Sequence, residues 1–263
     1  MMSTVTSDTQ LMATRTVVPP ARRRVFTLKR FTTPIVVVVI LAVLLWWVSS
    51  LELDSIEQRT LNWDYITLRI GEHLSLTVVA SALVAVLAIP LGVATAKSPS
   101  KVFRAIVLAL ANIGQATPAV GVVILLAILW QTGYTTALVA LVIYAFLPVL
   151  RNTMIGIDQV DANVRESARG MGMTPAQVLM RIELPLAVPV ILAGLRTALV
   201  FCVGVATIAT FINAGGLGDM IVNGLKLQRY PVLVVGAVLV ACIALLIDWV
   251  AGFIEDIVTP RGL

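Results

Sequence analysis

The chain has 263 residues, of which 59% are apolar and only 13% are charged, and its mean hydropathy is +0.99. Soluble domains are closer to half apolar and a quarter charged, so the composition excludes a soluble enzyme, a secreted module and a disordered protein. The net charge of +5 is better explained by basic residues on the cytoplasmic side of a membrane than by nucleic-acid binding. The single histidine, His73, excludes a multi-histidine metal site within one chain, and Cys202 and Cys242, both in apolar stretches, predict neither a disulfide framework nor a metal site.

Long apolar stretches predict six membrane crossings, because a helix needs about 20 mostly apolar residues to span the hydrocarbon core. In chain order they cover residues 35–51, 74–96, 102–130, 135–155, 186–212 and 231–254. These stretches are continuously apolar, which excludes barrel strands because such strands alternate in polarity. The predicted fold class is therefore an all-α polytopic membrane protein.

The third apolar stretch is too long for one straight crossing and carries a helix-breaking sequence at its centre. Pro118 removes a backbone donor and disfavours helix at Thr117, and Gly114 loosens the same turn. Freed backbone groups at membrane depth need partners, so we expect a break that faces other helices or a cavity; a bend that serves packing alone is the alternative. The polar residues Asn112, Gln115 and Thr117 are predicted to line a polar path, unless they only make helix-to-helix hydrogen bonds.

Basic residues set the predicted orientation. They concentrate in three segments, residues 1–34, 97–104 and 151–185, and are sparse in the loops between these segments. The positive-inside rule therefore places both termini in the cytoplasm, and an even number of crossings agrees. The Ser/Thr-rich, aperiodic start of the chain predicts a disordered basic cytoplasmic tail over residues 1–33.

The predicted cytoplasmic segment between the fourth and fifth crossings, residues 158–185, is more than a plain connector and predicts two short helices. The first ends near Gly170, since glycine favours a left-handed cap. The second begins after Thr174, an N-cap residue, with Pro175 in its first turn and Gln177 where a capping box requires it. Such a segment offers a defined shape to a cytoplasmic partner; packing only on its own helix bundle is the alternative.

The same segment closely resembles the EAA loop of type I ATP-binding-cassette (ABC) importer permeases. That signature is Glu-Ala-Ala, three residues, Gly, nine residues and then Ile-x-Leu-Pro. This chain has Glu166-Ser167-Ala168, then Gly172, then Ile182-Glu183-Leu184-Pro185, all at the same spacing. The one departure is Ser167 in place of the middle alanine, and a residue this small preserves close packing.

Further motifs resemble the osmoprotectant branch of these permeases, which takes up glycine betaine, carnitine, choline or related compounds. They are LAN (110–112), QATP (115–118), LPVLRNT (147–153), GMGMT (170–174), AGLRTA (193–198) and AGGLG (214–218). The resemblance covers residues 72–255, interpreted as the permease domain. Residues 34–71 form the predicted first crossing and outer loop, and residues 256–263 a second cytoplasmic tail.

The resemblance implies a transport subunit that is not itself an enzyme and that binds no cofactor or metal. ATP and Mg²⁺ would belong to a separate ATPase subunit, in keeping with the lack of a GxxxxGK[ST] phosphate loop in this sequence. The implied assembly contains two ATPase copies, a second permease subunit (the same or a sister chain) and an extracytoplasmic substrate-binding protein. It would lie in the lipid bilayer of the cytoplasmic (inner) membrane and bind no nucleic acid.

In such permeases a helix of the EAA loop docks into a groove of the ATPase. The resemblance assigns ATPase coupling to Glu166, Ser167, Ala168, Gly172, Leu179, Ile182, Leu184 and Pro185. Glu166 is expected to make a polar or ionic contact, Gly172 to form the turn between the two short helices, and Pro185 to start the fifth crossing. Apolar Leu179 and Ile182 are expected to fill the partner's groove; packing on this subunit is the alternative.

Two charged residues lie inside predicted crossings. A central arginine costs about 2.5–3.5 kcal/mol on insertion scales unless it is paired, and Arg196 lies in the fifth crossing, roughly 15 Å deep at about 1.5 Å per residue. Asp248 lies in the sixth crossing at roughly 9 Å, an offset that an arginine side chain spans. We predict an intramembrane ion pair between them; exposure of Arg196 to an aqueous path is the alternative.

The resemblance also suggests a translocation path and an outer gate. Aromatic faces attract a quaternary ammonium cation. The intramembrane aromatics are Tyr144, Phe146, Phe201 and Phe211, for which packing is the commoner role. The predicted path consists of Asn112, Gln115, Thr117, Pro118 and Tyr144.

On the predicted outer face, Gly215, Gly216 and Gly218 permit positive φ. They are predicted to form part of an outer gate or to meet the binding protein, with a plain tight turn as the alternative. His73 at the outer edge of the second crossing is expected to be a solvated interfacial group.

Three other functions are alternatives. An ABC permease for another solute, such as methionine or phosphonate, has the same architecture. An ion-coupled secondary transporter needs internal repeats and buried coupling carboxylates, and the sequence offers no repeat and only Asp248 as a deep acid. A structural scaffold without transport is the third alternative.

Overall fold

The computed structural model describes residues 31–258, and all regular secondary structure in this range is helical. The helices are α1 (Thr32–Ser49), α2 (Ser55–Thr60), α3 (Trp63–Lys97), α4 (Lys101–Ala116), α5 (Ala119–Leu129), α6 (Tyr134–Asp158), α7 (Ala162–Gly170), α8 (Pro175–Val178), α9 (Leu184–Ala206), α10 (Gly218–Lys226) and α11 (Tyr230–Val258). A π-helical turn (Leu179–Glu183) joins α8 to α9, and a 3₁₀ segment (Thr207–Ile212) follows α9. Most of the predicted tail over residues 1–33, and residues 259–263, lie outside the described residues.

Five helical segments within residues 31–258 are long and apolar enough to cross a membrane. They are α1, α3, α6, the continuous stretch Pro175–Ile212, and α11. The pair α4 and α5 qualifies together, with a bend of 98° at Thr117 and Pro118. The all-α polytopic fold is therefore confirmed, and so is the break predicted in the third crossing.

Contacts at the two ends of the bundle show that the bent pair runs from one end to the other. Arg104, near the start of α4, forms an ion pair with Asp158 at the end of α6. Beyond α5, the Gly133 N–H donates to the Ile212 carbonyl at 2.7 Å. We call the end that contains Lys97 and Asp158 the inner end, which the basic residues predict to be cytoplasmic, and the opposite end the outer end.

The core consists of α3, α6 and α9 packed on one another. Leu76, Val84, Leu141 and Leu150 are fully buried between these helices. A β-carbon on Gly194 of α9 would lie 2.6 Å from Asn152 Cβ in α6. Small residues permit such close helix crossings in membranes, where packing takes over much of the role of the hydrophobic effect.

The helix of the second crossing begins earlier than predicted, within the segment that was expected to be the outer loop. Asp54 caps α2 in a full capping box with Glu57, and Asn62 caps α3, its side chain accepting from the Tyr65 N–H. Because Asn62 supplies this start signal, the helix of the second crossing begins at Trp63, well before the apolar stretch that starts near Leu74. Apolar periodicity alone did not reveal these polar first turns.

Candidate functional site

Residues 162–185, which we call the inner segment, lie at the inner end of the bundle. The first helix of this segment, α7, ends in a turn that depends on glycine. Gly172 has φ of +84°. The Met173 N–H donates to the Ala168 carbonyl at 3.2 Å, and the Gly172 N–H donates to the Arg169 carbonyl at 2.9 Å. This pair of bonds is a Schellman motif. The helix does end at Gly170 as predicted, but the left-handed residue is Gly172, two positions later.

The start of the next helix has the capping box that the sequence predicts. The Gln177 N–H donates to Thr174 Oγ1 at 3.3 Å, and the Thr174 N–H donates to Gln177 Oε1 at 2.8 Å. Pro175 occupies the first helical position, where its missing N–H costs nothing. Hydrogen bonds therefore fix the backbone on both sides of the turn at Gly172: the Schellman bonds at the end of α7 and the capping box at the start of α8.

The second helix is not free-standing, contrary to the prediction of two short helices. It continues through the π-helical turn into α9. Pro185 lies in the first turn of α9, as predicted for the start of the fifth crossing, but no free loop precedes it. The Leu184 N–H donates to the Leu179 carbonyl, five residues back. A proline ring clashes with the carbonyl four residues earlier in an α-helix, and widened π turns occur where a helix must absorb such an irregularity.

The π-helical turn also directs one face of this helix inward. Buried Val178 and buried Glu183 are five residues apart, whereas Glu183, Ala187 and Ile191 follow at intervals of four on the same buried face. A π turn repeats at about five residues, so it aligns Val178 with the buried face of α9. As a consequence, the Glu183 carboxylate lies on the buried face of this helix.

Glu183 is a buried charged residue to which the sequence analysis assigned no role. Only 1% of the residue is exposed, and its carboxylate lies between two cations. Lys97 Nζ, at the end of α3, is 2.5 Å from Oε2, and Arg165 NH1, on α7, is 3.9 Å from Oε1. The available signal was an acid between apolar Ile182 and Leu184 at the edge of a crossing, where charges are expensive and often functional.

The predicted coupling residues divide into an exposed and a packed group. Glu166 and Ser167 are exposed on α7, whereas Ala168 is buried. Leu179 and Leu184 pack on the cluster of Ile157, Ala187 and Ile191. Leu179 therefore packs on its own subunit, which was the alternative to filling a groove of the partner. Ile182 is half-buried and Pro185 is exposed.

Two large apolar side chains of this segment are left mostly exposed by the described residues. Met171 is 71% exposed and Met180 is 64% exposed. They flank the turn at Gly172 at the inner end of the bundle. Methionine is flexible and polarisable and is common on binding surfaces.

At the break, α6 supplies hydrogen-bond partners to the polar residues of the bent pair. The Tyr144 hydroxyl donates to the Thr117 carbonyl at 3.0 Å, and Arg151 NH2 donates to Asn112 Oδ1 at 2.9 Å. These bonds fit the expectation that freed polar groups at depth find protein partners. Asn112 thus makes a helix-to-helix contact, the alternative given for it above. Gln115 is half-buried and Pro118 is exposed beside it.

The pairing predicted for Arg196 is present. Arg196 Nε lies 2.5 Å from Asp248 Oδ1, and NH2 lies 2.6 Å from Oδ2. Glu255, seven residues or about two turns further along α11, is 3.6 Å from Arg196 NH1. The arginine and aspartate side chains keep 38% and 41% exposure in the single chain, so the pair lies at the surface of the bundle rather than in its centre.

The glycine-rich loop at the outer end is buried and pinned to α3. Gly215 and Gly216 have φ of +78° and +90°, as the sequence predicts. The Gly216 N–H donates to Glu72 Oε2 at 2.8 Å. Gly218 is the first residue of α10 and packs on the Thr207 backbone. The loop is thus a specific docked structure and not a plain surface turn.

The residues of α3 that hold this loop form a charged network. Arg69 NH1 contacts Glu72 at 2.8 Å and Asp219 at 2.9 Å, and Thr210 donates to Asp219. His73 is fully buried against this loop, with Nε2 3.1 Å from the Val203 carbonyl. The expectation of a solvated His73 is therefore wrong, because α10 and the loop cover this end of α3.

The fold thus collects the predicted residues into groups that lie apart. The coupling residues lie at the inner end, the glycines at the outer end, and the break lies between them beside α6. Arg196 and Asp248 lie on another face, between α9 and α11.

Comparison with known proteins gives a family and several curated relatives. A family model described as "Binding-protein-dependent transport system inner membrane component" matches residues 88–261. The glycine betaine/carnitine/choline transport system permease protein OpuCB of Bacillus subtilis (strain 168) is 42% identical over 73% of this chain and 88% of its own length. The osmoprotectant import permease protein OsmW of Salmonella typhimurium is 33% identical over 80% of this chain and 100% of its own length.

Solved structures share the fold. The inward-facing MetNI methionine ABC transporter aligns with a TM-score of 0.66 at 23% identity, over 74% of this chain and 96% of the matched chain. A chain of an amino acid ABC transporter with histidines aligns with a TM-score of 0.64 at 18% identity, over 78% and 99%. At these identities the comparison establishes the architecture alone.

Proposed function

The chain belongs to the family of binding-protein-dependent transport system inner membrane components, and on that basis we propose that it is the permease subunit of an ATP-driven importer for quaternary ammonium osmoprotectants such as glycine betaine, choline or carnitine. The observation that carries the proposal is the helical inner segment, residues 162–185, which has the spacing of the EAA loop. The curated relatives of the chain are named for these solutes. The chain would itself catalyse no reaction.

The proposed assembly follows from the family. A separate ATPase, in two copies, supplies the energy and holds ATP and Mg²⁺, and this chain binds no cofactor. A second permease subunit, identical or a sister chain, completes the channel, and an extracytoplasmic binding protein delivers the solute. The multi-pass chain would lie in the cytoplasmic membrane with its inner end toward the ATPase.

The coupling mechanism uses the two faces of the inner segment. Glu166 and Ser167 offer polar groups to the ATPase, and Met171 and Met180 add apolar surface beside them. Leu179 and Leu184 fasten the same segment to the chain's own core. Because the second helix continues into α9 without a free loop, a displacement imposed by the ATPase moves the fifth crossing as a rigid body.

The translocation path is proposed to run beside the break. The axes of α4 and α5 differ by 98° at the break, and Gln115, Thr117 and Tyr144 lie beside it. An aromatic face attracts a quaternary ammonium group, and Tyr144 is oriented by its bond to Thr117. The outer loop around Gly216 is proposed to act as the outer gate, held to α3 by Glu72.

The test is solute uptake by vesicles that contain the permease, its ATPase and the binding protein. Labelled choline, glycine betaine and carnitine are offered one at a time, with methionine as the alternative solute and with ATP inside or absent. Accumulation of a quaternary ammonium compound that requires both ATP and the binding protein supports the proposal. Accumulation of methionine alone, or accumulation without ATP, contradicts it.

A further inference from the structure

The Glu183 carboxylate joins three separate elements of the inner end. It belongs to the π-helical turn at the root of α9, while its partners come from the end of α3 (Lys97) and from α7 (Arg165). Within residues 31–258, α7 packs chiefly on α8 and on the π-helical turn. Among the ion pairs of the described residues, the link between α7 and α3 runs through this carboxylate.

Burial makes this contact different from other ion pairs at the inner end. The Glu183 side chain is 2% exposed, whereas Asp158, which pairs with Arg104, is 45% exposed. A solvent-exposed pair contributes little because water and salt screen it. A buried carboxylate must keep its partners, because removal of one partner leaves an uncompensated charge. Glu183 therefore holds Lys97 and Arg165 in place whenever the inner end is packed as it is here.

We propose that Glu183 is a positioning residue that fastens the helix bearing Glu166 and the inner end of the second crossing to the root of the fifth crossing, so that a push from the ATPase moves α3 and α9 together. This inference rests on the proposed function. Without the carboxylate, α7 loses its ionic link to α3, and the inner end of α3 is held to α9 by apolar packing alone. The result is ATP hydrolysis that is uncoupled from transport.

The first test compares uptake with hydrolysis in the full complex. Glu183→Gln keeps the side-chain shape and removes the charge, and Lys97→Gln removes the principal partner. In each variant we expect ATP hydrolysis to persist while uptake per ATP falls by about a factor of ten, the value of one lost charge-assisted contact. Asp158→Asn, at the exposed pair, is the matched control and should keep the wild-type ratio.

The second test measures whether the elements move together. Spin labels on Ala94→Cys in α3 and Asn163→Cys in α7, both at exposed positions, report the separation of these elements after Cys202 and Cys242 are replaced by alanine. In the wild type the separation should be the same without nucleotide and with trapped ATP. In Glu183→Gln it should broaden and change with nucleotide.

Each outcome decides the proposal. An unchanged uptake-to-hydrolysis ratio in assembled Glu183→Gln, or an unchanged narrow label separation, overturns it. If Glu183→Gln does not assemble, Arg165→Gln decides by the same ratio, because it removes the link to α7 while Glu183 keeps Lys97 as its counter-ion at 2.5 Å. If the wild-type complex hydrolyses ATP but takes up no quaternary ammonium compound, the proposed substrate fails, and the label separations still decide the role of Glu183.

Discussion

Arg196 of α9 and Asp248 of α11 meet through two hydrogen bonds of 2.5 and 2.6 Å, which tie the last two crossings together at the surface of the bundle. Two parallel bonds between guanidinium and carboxylate fix orientation as well as charge. Glu255 adds a second acid at 3.6 Å, so the arginine is neutralised from two positions on the same helix.

Asp248→Asn should destabilise the chain by about 1 kcal/mol, the upper end for an ion pair whose side chains are this exposed. The reason is that the amide keeps one oxygen to accept from Arg196 but loses the negative charge, so the only ionic contact left to Arg196 among the described residues is Glu255 at 3.6 Å. The measurement is the midpoint of thermal denaturation in detergent, with Glu52→Gln at an exposed outer position as control. Equal midpoints for the wild type and Asp248→Asn would rule out a stabilising role for the pair.

Substitutions at Gly172 should follow backbone preference and not side-chain size. Gly172→Asn should retain most uptake because asparagine tolerates the left-handed conformation, whereas Gly172→Val should lose most of it because a β-branched residue at φ of +84° is strained. Uptake and ATP hydrolysis by the reconstituted complex provide the measurement. Gly170→Ala, in the helical turn before it with open space around the added methyl, is the control and should be neutral. Equal activity of the asparagine and valine variants would refute a backbone role for Gly172.

Gly215→Ala should loosen the outer loop. An added β-carbon would lie 2.5 Å from Glu72 Oε2 and at φ of +78°, so the substitution costs about 1–3 kcal/mol in backbone strain and displaces the carboxylate that holds Gly216. Hydrogen exchange of the loop amides measures the effect and should be faster in the variant. Gly204→Ala, in helical backbone with open space, should leave exchange at the wild-type rate. Unchanged protection in Gly215→Ala would show that Glu72 does not pin the loop.

Tyr144→Phe should lower the free energy of unfolding by about 1 kcal/mol, the net contribution of one hydrogen bond. The ring remains, but the Thr117 carbonyl loses its donor. Thermal denaturation of the purified chain measures the change, and Tyr230→Phe at an exposed position is the matched control. A stability identical to the wild type would mean that water or another group satisfies the Thr117 carbonyl.

The sequence predicts those features that depend on local chemistry. Pro118 with Gly114 marks the break, and Thr174 with Gln177 marks the helix start, because proline geometry and capping bonds are properties of a few adjacent residues. Apolar length indicates the crossings, and opposite charges at depths that an arginine side chain can bridge indicate the Arg196–Asp248 pair.

The features that escape prediction depend on distant parts of the chain. Glu183 has partners 86 and 18 positions away in sequence, on α3 and α7, and no local pattern signals either contact. His73 is buried because the loop before α10 folds over it. The continuity of α8 with α9 requires a π-helical turn; Pro185 explains the irregularity, but that the helix continues instead of ending also depends on the packing of Leu179 and Ala187 on the core.

The most direct test of ATPase docking at the inner end is a site-specific photo-crosslink from the inner segment. A photoreactive group at Met171, which is 71% exposed, is activated in the assembled membrane complex, with a group at Leu225, 63% exposed toward the outer end, as the matched control. We predict an adduct with the nucleotide-hydrolysing subunit from position 171 and none from position 225. Adducts from position 171 that contain only lipid or the extracytoplasmic binding protein would contradict docking at this segment.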